Sequence, residues 1–155
     1  MIEWQRMRFE QLTNVQLYQL LKLRVDVFVV EQTCPYPELD NKDLAAEVYQ
    51  LIGIKDREIV ACARLLAPGI SYPSASIGRV ATSALHRGGG LGHELMQQAV
   101  AHCSALWPQD RIEIGAQAHL ERFYAQHGFV KSSDTYLEDG IPHIDMQRDV
   151  SEVDR

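Results

Sequence analysis

Cysteine is scarce in this chain of 155 residues: Cys34, Cys62 and Cys103 are odd in number, far apart and without a Cys-x-x-Cys pair. Neither a disulfide framework nor a zinc ribbon can be assembled from them. Positive charge is short as well, with 15 Lys and Arg against 21 Asp and Glu and a formal net charge of −6. Nucleic-acid binding needs a basic footprint to displace counterions, so DNA and RNA are excluded as main partners. Long apolar runs are missing; the stretch Val25 to Val30 is short and broken by Asp26, so no membrane span is expected. The opening Met1-Ile2-Glu3-Trp4-Gln5 lacks the basic and then apolar layout of a secretory signal, which makes a cytoplasmic location the expectation. Repeats, linkers and low-complexity segments are also lacking, so residues 1–155 read as a single domain.

What is present is an ordinary globular composition, 46% apolar and 23% charged, in a chain long enough to bury about two-thirds of its unfolded surface. Trp4 to Phe9 alternates as a short strand. Thr13 and Gln16 form a capping box ahead of Leu17, Leu20, Leu21, Val25 and Phe28, whose spacing predicts a helix from Asn14 to about Val29. Cys34-Pro35-Tyr36-Pro37 stops it, and Glu38 to Leu44 reads as an acidic, solvated loop. Residues 48–54 and 59–66 flank a polar tetrad as a hairpin. A strand, Ala75 to Thr82, leads into the glycine cluster and a helix carrying Leu91, Leu95, Ala99, Cys103 and Leu106. After it come a strand at 112–116, a short helix around Leu120 to His127 closed by Gly128, and strands at 129–136 and 144–148 about an Asp139-Gly140 turn. This order predicts an α/β fold, a mixed, largely antiparallel twisted sheet with about four helices on its faces.

Arg87-Gly88-Gly89-Gly90-Leu91-Gly92 places unhindered backbone N–H groups at a helix N-terminus, an anion-binding arrangement. It is not a nucleotide-hydrolysis loop, because His93-Glu94 stands where Lys-Ser/Thr is required, and no Gly-x-Gly-x-x-Gly register fits. His93-Glu94 is not a zinc-protease motif either, since Gln97 occupies the second ligand position, and no metal site is expected. What fits is Arg-x-x-Gly-x-Gly at Arg87, Gly90 and Gly92, followed some thirty residues on by Phe123-Tyr124-Ala125-Gln126-His127-Gly128-Phe129.

These two motifs resemble those of the Gcn5-related N-acetyltransferase (GNAT) superfamily. Strings such as Val27-Phe28-Val29-Val30-Glu31-Gln32, Cys34-Pro35-Tyr36 and Glu138-Asp139-Gly140-Ile141-Pro142-His143-Ile144 look like its ElaA branch. The resemblance implies acetyl-CoA as cosubstrate and a small-molecule or peptide amine as acceptor, combined in one ternary complex. It implies that N–H groups of Arg87, Gly88, Gly89, Gly90, Leu91 and Gly92 cradle the pyrophosphate while Val80, Ala81 and Thr82 pair with the pantetheine arm. Tyr124 is then the hydrogen-bond donor to the departing thiolate. Where the superfamily often carries a glutamate base this chain has Gly78-Arg79, which leaves Glu31, His143 or water for that role. His119 and His127 read as structural. The acidic residues Glu31, Glu38, Asp40, Asp43 and Glu47 would favour a cationic amine if they lined the acceptor mouth. A catalytically silent acyl-CoA-binding module is the alternative, and the last strand offers an edge for a homodimer.

Overall fold

The computed structural model describes residues 1–150. Eight strands form one sheet among these residues: β1 (Glu3–Arg8), β2 (Val48–Lys55), β3 (Glu58–Leu66), β4 (Ala75–Thr82), β5 (Ile112–Gln117), β6 (Val130–Lys131), β7 (Tyr136–Glu138) and β8 (Ile141–Arg148). The spatial order is β1-β2-β3-β4-β5-β8-β6, with β7 also on β8. Every pairing is antiparallel except β4 with β5. Three α-helices accompany the sheet, α1 (Asn14–Val25), α2 (Leu91–Leu106) and α3 (Glu121–Ala125). The mixed, mainly antiparallel α/β architecture expected of the element order is therefore the one observed.

Period-2 alternation sends β2 and β3 into two cores. Leu51, Ala61, Ala63 and Leu65 pack with Leu95, Met96, Ala99 and Cys103 of α2, whereas Ile52 and Cys62 pack with Leu20 and Leu23 of α1. The turn between these strands is reduced to Asp56-Arg57, both at positive φ, which fixes the register at Lys55 opposite Glu58.

The α1 capping box forms as the sequence implies, with Gln16 N donating to Thr13 Oγ1 at 3.1 Å and Thr13 N to Gln16 Oε1 at 3.0 Å. Its buried face differs from the one the apolar spacing suggested. Leu20, Leu23, Arg24 and Val27 are buried while Val25 is exposed, because the face includes an arginine that hides it from an apolar pattern. The α-helix also ends early: from Asp26 to Glu31 the chain widens into a π-helical segment, with Gln32 N bonded to Val27 O and Cys34 N to Val29 O. Valines at 25, 27, 29 and 30 weaken the ordinary helix there.

The closing strands also depart from the expectation. The stretch 129–136 is split into β6 and the start of β7, and β8 begins at Ile141 rather than Ile144. Asp139 and Gly140, both at positive φ, make a two-residue turn that pairs Glu138 with Ile141. Pro142 lies just beyond the end of the β5 ladder at Gln117 opposite His143, so its missing N–H costs that ladder nothing. Because β8 pairs with β5 on one side and with β6 and β7 on the other, the last strand has no free edge to offer a second copy.

Candidate active site

The parallel pairing of β4 with β5 covers only Ala75 with Ile112 and Ser76 with Glu113. Beyond it the strands part, and the β4 backbone from Ile77 to Thr82 has no β5 ladder on that side. An open strand edge of this kind can pair with an extended ligand. The β3–β4 register slips between Cys62 and Arg64, and Arg79 in the resulting bulge adopts φ +50. A cavity of about 450 Å³ occupies the notch. Val80, Ala81, Thr82, Arg87, Gly92 and Tyr124 are among the residues that line it, as are Glu31, Cys34, Tyr36, Glu138 and His143.

Gly90 is the residue before α2, at φ +81, and no side chain caps the helix. Gly88 is at φ +98. Gly89 is the informative one, because its φ is not in the left-handed region and a Cβ there would meet nothing within 4 Å. Neither conformation nor packing in the protein requires glycine at 89, whereas a ligand approaching the main chain would. Gly88, Gly89 and Gly90 are exposed, between Arg87 and Gly92 that line the cavity, while Leu91 is buried in the core, so only its N–H can serve a ligand. The Arg87 side chain turns away from the loop: its guanidinium bonds Glu31 through Nη1 at 2.6 Å and Nη2 at 3.0 Å, and donates to Thr82 O at 2.9 Å. One carbonyl of the β4 edge is thereby already engaged.

Tyr124, on α3, is only 9% exposed and sits edge-on to Phe123 and Phe129. Among the described residues its hydroxyl has no hydrogen-bond partner, and burial pushes its pKa up to about 12. Of the two candidate bases, Glu31 is occupied. Hydrogen bonds from Arg87 hold its carboxyl below the usual range, the opposite of what proton removal from an amine needs. His143 is buried, with Nδ1 2.8 Å from Ile141 O. His119, read from the sequence as structural, lines the cavity too.

The acidic segment is not a solvated loop. Glu38 and Asp43 are buried, and with Asp40 they face three arginines from α1, β3 and β4. Arg24 bonds Glu38 at 2.6 Å and Asp43 at 2.9 Å, Arg64 bonds Asp40 through two 2.8 Å contacts, and Arg79 bonds Glu38 at 2.9 Å. Tyr36 and Gln50 complete the network by donating to Glu38 and Asp43. Those three carboxylates are neutralised internally and cannot draw a cation to the mouth. Glu138 and Asp139, on the β7–β8 turn, line the cavity instead. Outside it, His127 shares a 2.9 Å contact with His93, and burial followed by that neighbour lowers its pKa. Among the described residues no group of three or more His, Cys, Asp or Glu could hold a metal ion, and no helix is long and apolar enough to cross a membrane.

Residues 20–150 match the family model described as an acetyltransferase (GNAT) domain. The chain is similar to Protein ElaA of Escherichia coli strain K12, at 45% identity over 97% of this chain and 98% of that protein. It is similar in structure to an acyl-CoA N-acyltransferase from Pseudomonas aeruginosa, with TM-score 0.91 and 43% identity over 96% of this chain and 99% of that one. The crystal structure of Escherichia coli ElaA superposes with TM-score 0.90 at 44% identity, covering 96% of this chain and all of the other.

Proposed function

From the premise that this chain belongs to the GNAT acetyltransferase family, we propose that it transfers an acetyl group from acetyl-CoA to a primary amine of a small molecule or peptide, by direct attack in a ternary complex. The observation that carries this reading is the opened β4 edge, which runs from Ile77 to Thr82 toward the glycine loop and shares its cavity with the unpartnered hydroxyl of Tyr124.

The roles follow from the chemistry each group can perform. Backbone N–H groups of the Arg87–Gly92 loop receive the pyrophosphate at the start of α2, where the helix dipole favours negative charge. Val80 offers its ladder groups to the pantetheine arm, whereas those of Ala81 face Cys62 on β3, and a backbone N–H on the open side polarises the thioester carbonyl. Thr82 joins Val80 only if Arg87 releases its carbonyl. Tyr124 donates a hydrogen bond to the sulfur as it gains charge. A phenol at about 12 does this without giving up its proton to a thiolate whose ordinary value is about 8.5. His143 is the base, since Glu31 is held by Arg87. Glu138 and Asp139 at the acceptor end support a cationic amine, which replaces the argument from the buried acidic segment.

Tyr124→Phe separates binding from turnover. Acetyl-CoA affinity by calorimetry should stay within about twofold, while thiol release with a lysine-type or polyamine acceptor should fall at least roughly 10-fold. Unchanged turnover at saturation would remove Tyr124 from the reaction. A silent acyl-CoA-binding module would instead bind acetyl-CoA normally and release no thiol with any amine.

A further inference from the structure

The β7–β8 hairpin fixes more than the position of His143. Tyr136 and Glu138 are two apart on β7 and so share a face, and the register places His143 directly opposite Tyr136 on that same face. The three side chains meet there. Tyr136 stacks on the His143 ring at 26° with centroids 6.1 Å apart, and its hydroxyl donates to Asp145 Oδ1 at 2.7 Å, which anchors the stack. Glu138 Oε2 is 3.5 Å from His143 Nε2. The opposite ring nitrogen, Nδ1, lies 2.8 Å from the carbonyl oxygen of Ile141. A carbonyl oxygen only accepts, so Nδ1 carries the proton in the neutral ring and Nε2 holds the lone pair. The side chain of His143 is 10% exposed and that of Glu138 is 59% exposed, so the pair runs from the buried ring to solvent.

Resting on the reading of His143 as the base, we propose that Glu138 and His143 form a proton-export pair, in which Glu138 is the positioning residue that stabilises the protonated ring and passes its proton to water. The step balances as follows. An ammonium acceptor gives one proton to Nε2, and the freed amine lone pair forms the C–N bond to the acetyl carbon. The C–S bond breaks with its electron pair on sulfur, and the second amine proton ends on that sulfur. Protonated Nε2 turns from acceptor to donor toward Glu138 Oε2, and the exposed carboxyl delivers the proton to solvent. One proton per turnover leaves the site, the number the overall reaction releases. Tyr136 stacks on the ring, and the other ionisable groups that line the same cavity are Glu31, Cys34, Tyr36, Arg79, Arg87, His119, Tyr124 and Asp139. Among the described residues, only Glu138 brings a carboxylate oxygen within 4 Å of Nε2.

Glu138→Gln in the full chain, followed by long-range ¹H–¹⁵N NMR of the histidine rings without ligand, tests the pair. The neutral His143 ring should carry its proton on Nδ1. With saturating acetyl-CoA and a lysine-type amine, kcat should fall roughly three- to tenfold in Glu138→Gln with acetyl-CoA affinity unchanged, and most of the loss should be recovered in Glu138→Asp. A neutral ring protonated at Nε2, or an unchanged kcat in Glu138→Gln, would overturn the proposal. The underlying reading fails by a different result: acetyl transfer from acetyl-CoA undiminished in His143→Gln, whatever the rings show.

Discussion

Arg24 shows how much a single side chain organises here. It is fully buried on α1, and its guanidinium holds Glu38 and Asp43 of the segment that follows Pro37. Replacing it by methionine keeps volume but strands two buried carboxylates, so Arg24→Met should lower unfolding free energy by ~3–5 kcal/mol in urea titrations. The same network has a pH signature. In Asp40 burial pushes the pKa up, and the hydrogen bonds and charge of Arg64 more than reverse this, to about 2; in Asp43 burial is likewise outweighed, by Arg24. Both values are depressed in the fold, so their stabilisation is complete above the unfolded carboxylate value near 4 and is lost as pH falls toward about 2. Denaturation midpoints taken from pH 6 downward should drop through that window, and the drop should be shallower in Asp40→Asn. An equally steep fall would mean that Asp40 is not held low in the fold.

At the scale of elements, the glycine loop and α2 make separable demands. Gly90→Ala forces a side chain into φ +81 and should cost ~1–2 kcal/mol of stability. Gly89→Ala meets neither strain nor a neighbour, so stability should be unchanged, yet a Cβ in the path of the pyrophosphate should weaken acetyl-CoA binding at least roughly 10-fold. Loss of stability without loss of binding at 89 would make the loop a turn and nothing more. This element was legible in the sequence because its signals are local: Thr82 ends a strand, the glycines follow, and Leu91, Leu95, Ala99 and Cys103 mark the buried face that the structure shows. The α1 face was not, because Arg24 belongs to it and its partners lie 14 and 19 residues away. Glu138 escaped for a related reason. Its relation to His143 depends on the hairpin register, which the Asp139-Gly140 turn could have given had β8 been started at Ile141.

For the whole molecule, the feature that matters is where the sheet stops being continuous. Two residue pairs join β4 to β5 before the strands separate, and Arg87 and Gly92 of the glycine loop, Tyr124 and His143 all line the cavity there. The negative net charge is compatible with a phosphate-rich cosubstrate, because in the proposed complex backbone dipoles rather than cationic side chains meet it; even Arg87 is committed to Glu31. The central claim is that acetyl-CoA completes the sheet at this gap. Amide hydrogen exchange of the full chain with and without saturating acetyl-CoA measures it directly. Protection should rise over residues 77–82 and 87–92 and stay unchanged in β1 and β2. Unchanged exchange on the β4 edge, or protection confined to other strands, would contradict the account.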